Sequence, residues 1–129
     1  MTKAKKHPTD GRTDRVAQLI DALREFAEAR DWEQYHSPKN LSMALTAEAG
    51  ELLELFQWLT EDESRKLSRA KRSQVRDELG DVLIYLTRLA DQLGIDPVEA
   101  AFDKIKKNAV KYPVTKAKGN ARKYTEFSK

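Results

Sequence analysis

Cysteine is absent from the 129 residues, which removes disulfides and thiolate-ligated metal sites. Histidine occurs twice, too few for a zinc site built on imidazoles. No apolar run approaches the roughly 20 residues that a bilayer-spanning helix needs. The first residues are polar and lysine-rich (Lys3, Lys5, Lys6), without the apolar segment of a secretory signal. The expectation is an intracellular, cytoplasmic protein that makes no membrane contact.

What is present points to a helical protein. The length fits one domain. Hydrophobic residues make up 40%, enough for a core, and 35% are charged, a mixture common in helical proteins with long solvated faces. The net charge is only +3 but unevenly spread: bases gather at the start and from Lys104 onward, acids in the middle. A basic end beside an acidic centre can bind nucleic acid, can help hold a polyphosphate over a metal, or can be a solvated tail.

Residues 1–12 contain Pro8 and Gly11 and no apolar pattern, and are expected to be a disordered tail. Four longer helices are predicted after it. The first runs from about Thr13, its N-cap, to Arg30, with Val16, Leu19, Ile20, Leu23, Phe26 and Ala27 at helical spacing. A non-periodic connection, residues 31–38, leads to the second, about Asn40 to Leu59. A polar stretch with a short helical turn, Thr60 to Lys71, precedes the third, about Ser73 to Leu93, which Gly94 stops. The fourth opens with Asp96 as N-cap, Pro97 at the first helical position and Glu99 completing a capping box, and ends near Lys111. Residues 13–112 thus read as one helical domain of four-helix-bundle type, all-α, and residues 113–129 as a basic, weakly patterned C-terminal tail.

Acidic residues fall where apolar ones are expected. On the second helix, Leu41, Leu45, Leu52, Leu55 and Leu59 lie in a stripe roughly 80° wide. Glu48 sits in the middle of that stripe, Glu51 at its edge, and Glu54 well off it. On the third helix, Val75, Leu79, Val82, Leu86, Leu89 and Leu93 form the stripe, and Glu78, Asp81 and Tyr85 run along its flank. An unpaired buried carboxylate costs several kcal/mol or raises its pKa, and four together repel. Either bases from elsewhere pair with them or a cation binds among them. No Lys or Arg lies on either stripe, and an all-oxygen set suits a hard cation, Mg²⁺ or Mn²⁺. Glu-x-x-Glu alone is a weak signal, and acids at a bundle edge paired with Lys or Arg remain the alternative.

The segment from Ala47 to Trp58 (AEAGELLELFQW), followed by Glu78 to Leu86 (ELGDVLIYL), resembles the MazG-like all-α nucleotide pyrophosphohydrolases, most nearly the dCTP pyrophosphatases. Arg30 to His36, Asn108 with Lys111-Tyr112-Pro113, and Arg122 to Glu126 agree in the same order, so the likeness spans about residues 15–127. It implies a helical bundle that assembles as a homodimer or homotetramer. It implies hydrolysis of a (deoxy)nucleoside triphosphate, dCTP or a modified dCTP, to the monophosphate and pyrophosphate, as in cleansing of the nucleotide pool. Glu48, Glu51, Glu78 and Asp81 match the Mg²⁺ ligands. Trp32 through His36, Trp58 and Tyr85 match positions that contact the nucleotide, and Lys107, Asn108 and Lys111 lie at or near positions that meet phosphate. One departure bears on the base: Leu23 stands where dCTP-specific relatives carry a histidine.

Without that resemblance the same residues have plainer readings. Trp32 and Trp58 can stack on a base or pack in a core or interface. His36 can be a surface residue, Tyr85 can cap the core, and Lys107 and Lys111 can form a solvated face. Phosphoryl chemistry asks chiefly for charge neutralisation and positioning, and one of the four acids, or Glu54, would accept the proton of water. The competing classes are a nucleotide sensor that turns over slowly and a non-enzymatic helical module whose basic C-terminal end binds nucleic acid. The first is disfavoured by the intact acidic set, and the second by the lack of any recognition motif.

Overall fold

The computed structural model describes residues 14–127, and among them it is all helical, with no strand. The expected tail over residues 1–12 lies outside the described residues, as does Thr13. The cap of the first helix, α1 (Arg15–Ala29), is instead Asp14, whose carboxylate accepts from the Val16 and Ala17 amides at 3.1 Å. This is the usual way to satisfy the free amides of a first turn.

Helix α2 spans Pro38–Glu54, shifted toward the N-terminus from the expected Asn40 to Leu59. Ser37 caps it by accepting from the Asn40 amide at 3.2 Å, and the fixed φ of Pro38 suits the first position. It ends early because the backbone tightens: the amides of Leu55 and Phe56 donate three residues back, to Leu52 and Leu53. The expected short turn is α3 (Glu61–Ser64), closed by a Thr60–Glu63 capping box. Helix α4 covers Arg69–Gln92, four residues earlier in its start than the Ser73 expected, because Ser68 caps it. Gly94, at φ 66°, ends it as predicted, in a left-handed conformation that glycine adopts without strain.

The chain divides into two compact units between Gly94 and Ile95. In the first, α2 packs along α4 and α1 packs on α4. Ala27, Leu41 and Ala90 are buried there together with Thr87 and Arg88. The stripe predicted on α4 is an apolar face but not a buried one: Leu79, Leu86 and Leu93 are 54%, 42% and 53% exposed. Helical periodicity reports that a face is apolar and not what covers it. Among the described residues the buried hydrophobic side chains are Ala27, Leu41 and Ala90.

In the second unit, α5 (Pro97–Lys111) starts where predicted, with Asp96 accepting from the Val98 and Glu99 amides at 2.9 and 3.0 Å. The Glu99 side chain returns no bond, so the expected capping box is only half formed. The stretch read as an unpatterned tail holds a short helix, α6 (Val114–Ala117), and a 3-10 turn, Tyr124–Glu126. The Tyr112 ring packs edge-on against Tyr124 and Phe127, at 5.8 and 5.7 Å between centroids. No helix among the described residues is long and apolar enough to cross a membrane.

Candidate metal and nucleotide site

Helix α2 carries Glu48 and Glu51 one turn apart, and α4 carries Glu78 and Asp81 in the same spacing. Because these two helices pack together, the pairs meet. Glu48, Glu78 and Asp81 each bring one carboxylate oxygen into a set lying within 4.8 Å of one another, a ligand spacing for one cation. Glu51 is more exposed and stands beside them, in hydrogen-bonding reach of both Glu48 and Glu78.

The electrostatics of the cluster are unbalanced. Burial first, then proton sharing with Glu51 and the charges of Glu51, Asp81 and Glu78, push Glu48 up to about 7. Burial, Glu51 and Asp81 also raise Glu78. One oxygen of Glu48 and one of Glu78 are fully shielded from water and have no hydrogen-bond partner. The ion pairs among the described residues involve none of the four acids. Pairing with Lys or Arg, the alternative left open by the sequence, is therefore not seen among the described residues. Two stranded oxygens in an all-carboxylate set fit a hard divalent cation.

Beside the cluster lies a cavity of about 240 Å³, to which Asp81 contributes part of the wall. Trp32, His36 and Tyr85, all singled out from the sequence, line it with Leu23 and Phe26. The local chain explains how. Asp31 adopts φ 54°, a left-handed conformation that aspartate tolerates better than most residues, and turns the chain sharply after α1. The Trp32 amide then donates to the Ala27 carbonyl at 2.9 Å. The Trp32 ring meets Phe26 edge-on at 5.7 Å and tilts against His36 at 6.2 Å. Asn40, at the start of α2, donates to the Tyr35 carbonyl at 2.9 Å and ties the connection down.

Arg88 is the residue of this region that the sequence reading missed. It is 3% exposed and lines the same cavity. Its Nε–H donates to Nδ1 of His36 at 3.2 Å, Nη2 lies 2.7 Å from Glu33 Oε1 as a charge contact rather than a directed hydrogen bond, and Nη1 reaches Asp91 at 3.4 Å. Asp91 in turn takes a bidentate pair from Arg24, at 2.6 and 2.8 Å. Burial and then the Arg88 charge hold His36 below its ordinary value, against the opposing Glu33. The signal was available: Glu78, Asp81, Tyr85 and Arg88 follow one another at helical steps of three and four, so the flank read as far as Tyr85 continues by one step.

Trp58, in the turn after α2, is 87% exposed and does not line the cavity. Lys107, Asn108 and Lys111 lie on exposed faces of α5 in the second unit, where Lys111 caps the Tyr124 ring at 4.9 Å.

Comparison with known proteins adds an independent line. The chain is 47% identical over 105 residues to dCTP pyrophosphatase 1 of Homo sapiens and 45% identical to that of Bos taurus, which covers 80% of this chain. It spans 62% of the length of those relatives. A solved structure of a pyrophosphatase from Archaeoglobus fulgidus superposes with a TM-score of 0.74 at 41% identity, over 86% of this chain and 99% of the other. That match establishes the all-α fold of such a pyrophosphatase. The MazG-like family profile matches residues 43–127, a span that holds all four acids, and the chain belongs to the MazG-like family.

Proposed function

We propose that the chain is a Mg²⁺-dependent nucleoside triphosphate pyrophosphohydrolase acting on dCTP or a modified dCTP. The carrying observation is the pair of shielded, partnerless oxygens on Glu48 and Glu78, set next to an aromatic cavity through the shared Asp81. A cation answers the first feature, and a flat base stacked on Trp32 answers the second. The two lie side by side, as the ends of a nucleotide would require. The relatives' names point the same way.

Glu48, Glu51, Glu78 and Asp81 would hold the cation, Mg²⁺ or Mn²⁺. When bound, it supplies charge neutralisation on the phosphates and activation of water. The chain's own part is positioning. Trp32, His36 and Tyr85 fix the nucleoside, and one acid of the cluster, or Glu54, accepts the proton of the water that attacks the α-phosphorus. The bond from that phosphorus to the bridging oxygen breaks, giving the monophosphate and pyrophosphate. Lys107, Asn108 and Lys111 are candidates for the phosphate end, and Trp58 for a contact made across copies. The exposed leucines Leu79, Leu83, Leu86 and Leu93 share one face of α4 and suit a second copy, as a homodimer or homotetramer.

Pyrophosphate release across the common NTPs and dNTPs, with and without Mg²⁺, tests this reading. Activity that depends on the metal and is highest with dCTP is expected. A metal-independent or flat profile defeats it.

A further inference from the structure

We infer that Arg88 is a positioning residue for base selection: by donating Nε–H to Nδ1 of His36 it forces the imidazole proton onto Nε2, so that the cavity offers the base a fixed hydrogen-bond donor. The inference rests on the reading of this cavity as the base site.

A guanidinium has only donors, so a ring nitrogen bonded to it must be an acceptor. Neutral imidazole has one acceptor nitrogen, and when Nδ1 fills that role Nε2 carries the hydrogen. Arg88 is buried and flanked by acids. It is 3% exposed, and Glu33 and Asp91 hold its two terminal nitrogens, with Asp91 anchored in turn by Arg24 on α1. The fork therefore has one orientation, and the ring it touches has one tautomer. The charged groups around His36 are Glu33 on its own segment and Arg88 and Asp81 from α4, with Tyr85 also facing the cavity. Leu23 and Phe26, from α1, are apolar. His36 thus adds a polar ring to a cavity whose α1 wall is hydrocarbon.

A lone fixed donor discriminates among pyrimidines. Cytosine presents an acceptor at N3 beside the acceptor O2, whereas uracil and thymine carry N3–H at that place. A donor facing N3–H leaves both hydrogens without a partner, which is a larger penalty than the loss of a bond. Had Nδ1 carried the proton, Nε2 would accept and the preference would run the other way.

The experiment uses the full chain bearing His7→Gln, which leaves His36 as the one imidazole. Nitrogen NMR of the histidine-labelled protein should show protonated Nε2 and bare Nδ1. Arg88→Lys keeps the charge for Glu33 and Asp91 but not the fixed Nε–H. In that variant the ring should become a mixture of tautomers, and the ratio of kcat/KM for dCTP over dUTP should fall about 2- to 10-fold, through KM rather than kcat. In a His36→Gln background, where the amide nitrogen stands near the Nε2 position, Arg88→Lys should change the ratio no further. A ring with its proton on Nδ1 in the unaltered Arg88 protein overturns the inference. So does an unmoved ratio in Arg88→Lys while both triphosphates are hydrolysed. Hydrolysis of neither triphosphate by the parent overturns instead the functional reading, and the base selection with it.

Discussion

Along α4, Glu78 and Asp81 stand among like charges, while Arg88 and Asp91, further along the same helix, stand among opposite ones. In the first cluster four acids meet, and among the described residues no base pairs with them and two of their oxygens have no partner. In the second, Arg24, Asp91, Arg88 and Glu33 alternate in sign and each touches its neighbour. Both clusters are partly withdrawn from water. Among the described residues, the second cluster is balanced by its own members and the first is not. A network of the second kind sets shape, because its geometry is complete on folding. On the proposed reading, a cluster of the first kind carries a standing cost until a cation binds, and so would couple binding to chemistry.

The sharpest way to break this contrast is to neutralise one acid. Glu48→Gln or Glu78→Gln should lower pyrophosphate release about a thousandfold or more, the loss expected when roughly 4 kcal/mol of metal-assisted stabilisation disappears. In the presence of a chelator the same variants should melt no earlier than the parent, because removing one negative charge relieves repulsion. Parallel loss of activity and of metal-free stability would show the acids to be structural after all. The opposite holds in the network. Asp91→Ala leaves the buried Arg88 with a weaker counter-charge and strands Arg24, so urea unfolding should show a loss of about 3 kcal/mol. An unchanged midpoint would mean that the network holds nothing together.

Magnesium itself separates the two clusters next. At a concentration about 100 times its Kd it should stabilise the parent by about 2.7 kcal/mol, and the Glu48→Gln variant by far less. The pH dependence follows from the raised Glu48. A carboxyl whose folded value lies above its ordinary 4.5, here at about 7, favours the metal-free fold at low pH and loses that contribution as the pH rises through 7. The cation must displace that proton. Thermal shifts with Mg²⁺ should therefore be larger at pH 8 than at pH 5.5, and a shift independent of pH would argue against Glu48 as a ligand.

The same contrast explains what could be read in advance. The acids were legible because Glu48 interrupts a row of leucines, and an interruption in a periodic pattern is visible along one helix. Helix starts were less so: Ser37 and Ser68 were passed over as caps because the apolar repeat begins after them, yet capping hydrogen bonds set where α2 and α4 begin. Arg88 was not read because its meaning lies in three partners distant along the chain, and a compensated charge makes no gap in a pattern. Trp32 and His36 entered through family likeness, and the conformation that brings them to Tyr85 depends on a left-handed Asp31 that no periodicity announces. The leucines of α4 were read as core because apolar character is local information and burial is not.

The smallest effect belongs to the outer end of the network. Hydrogen bonding from Arg24, followed by its charge and that of Arg88, holds Asp91 below its ordinary value of 3.8, against the burial that would raise it. A carboxylate depressed in the fold contributes stability above its ordinary value and loses that contribution as the pH falls through the lower folded one. Arg24 is 55% exposed at the side chain, so solvent screens the pair and its net worth is about 1 kcal/mol. The difference in stability between the parent and Arg24→Met should be near that size at pH 7 and shrink below pH 4, as Asp91 takes up a proton. The slope is opposite to that of the metal-free acidic cluster, which weakens as the pH rises. A gap that persists at pH 2.5 would mean that Arg24 acts through the packing of its carbon stem on α1 and not through the charge it gives to Asp91.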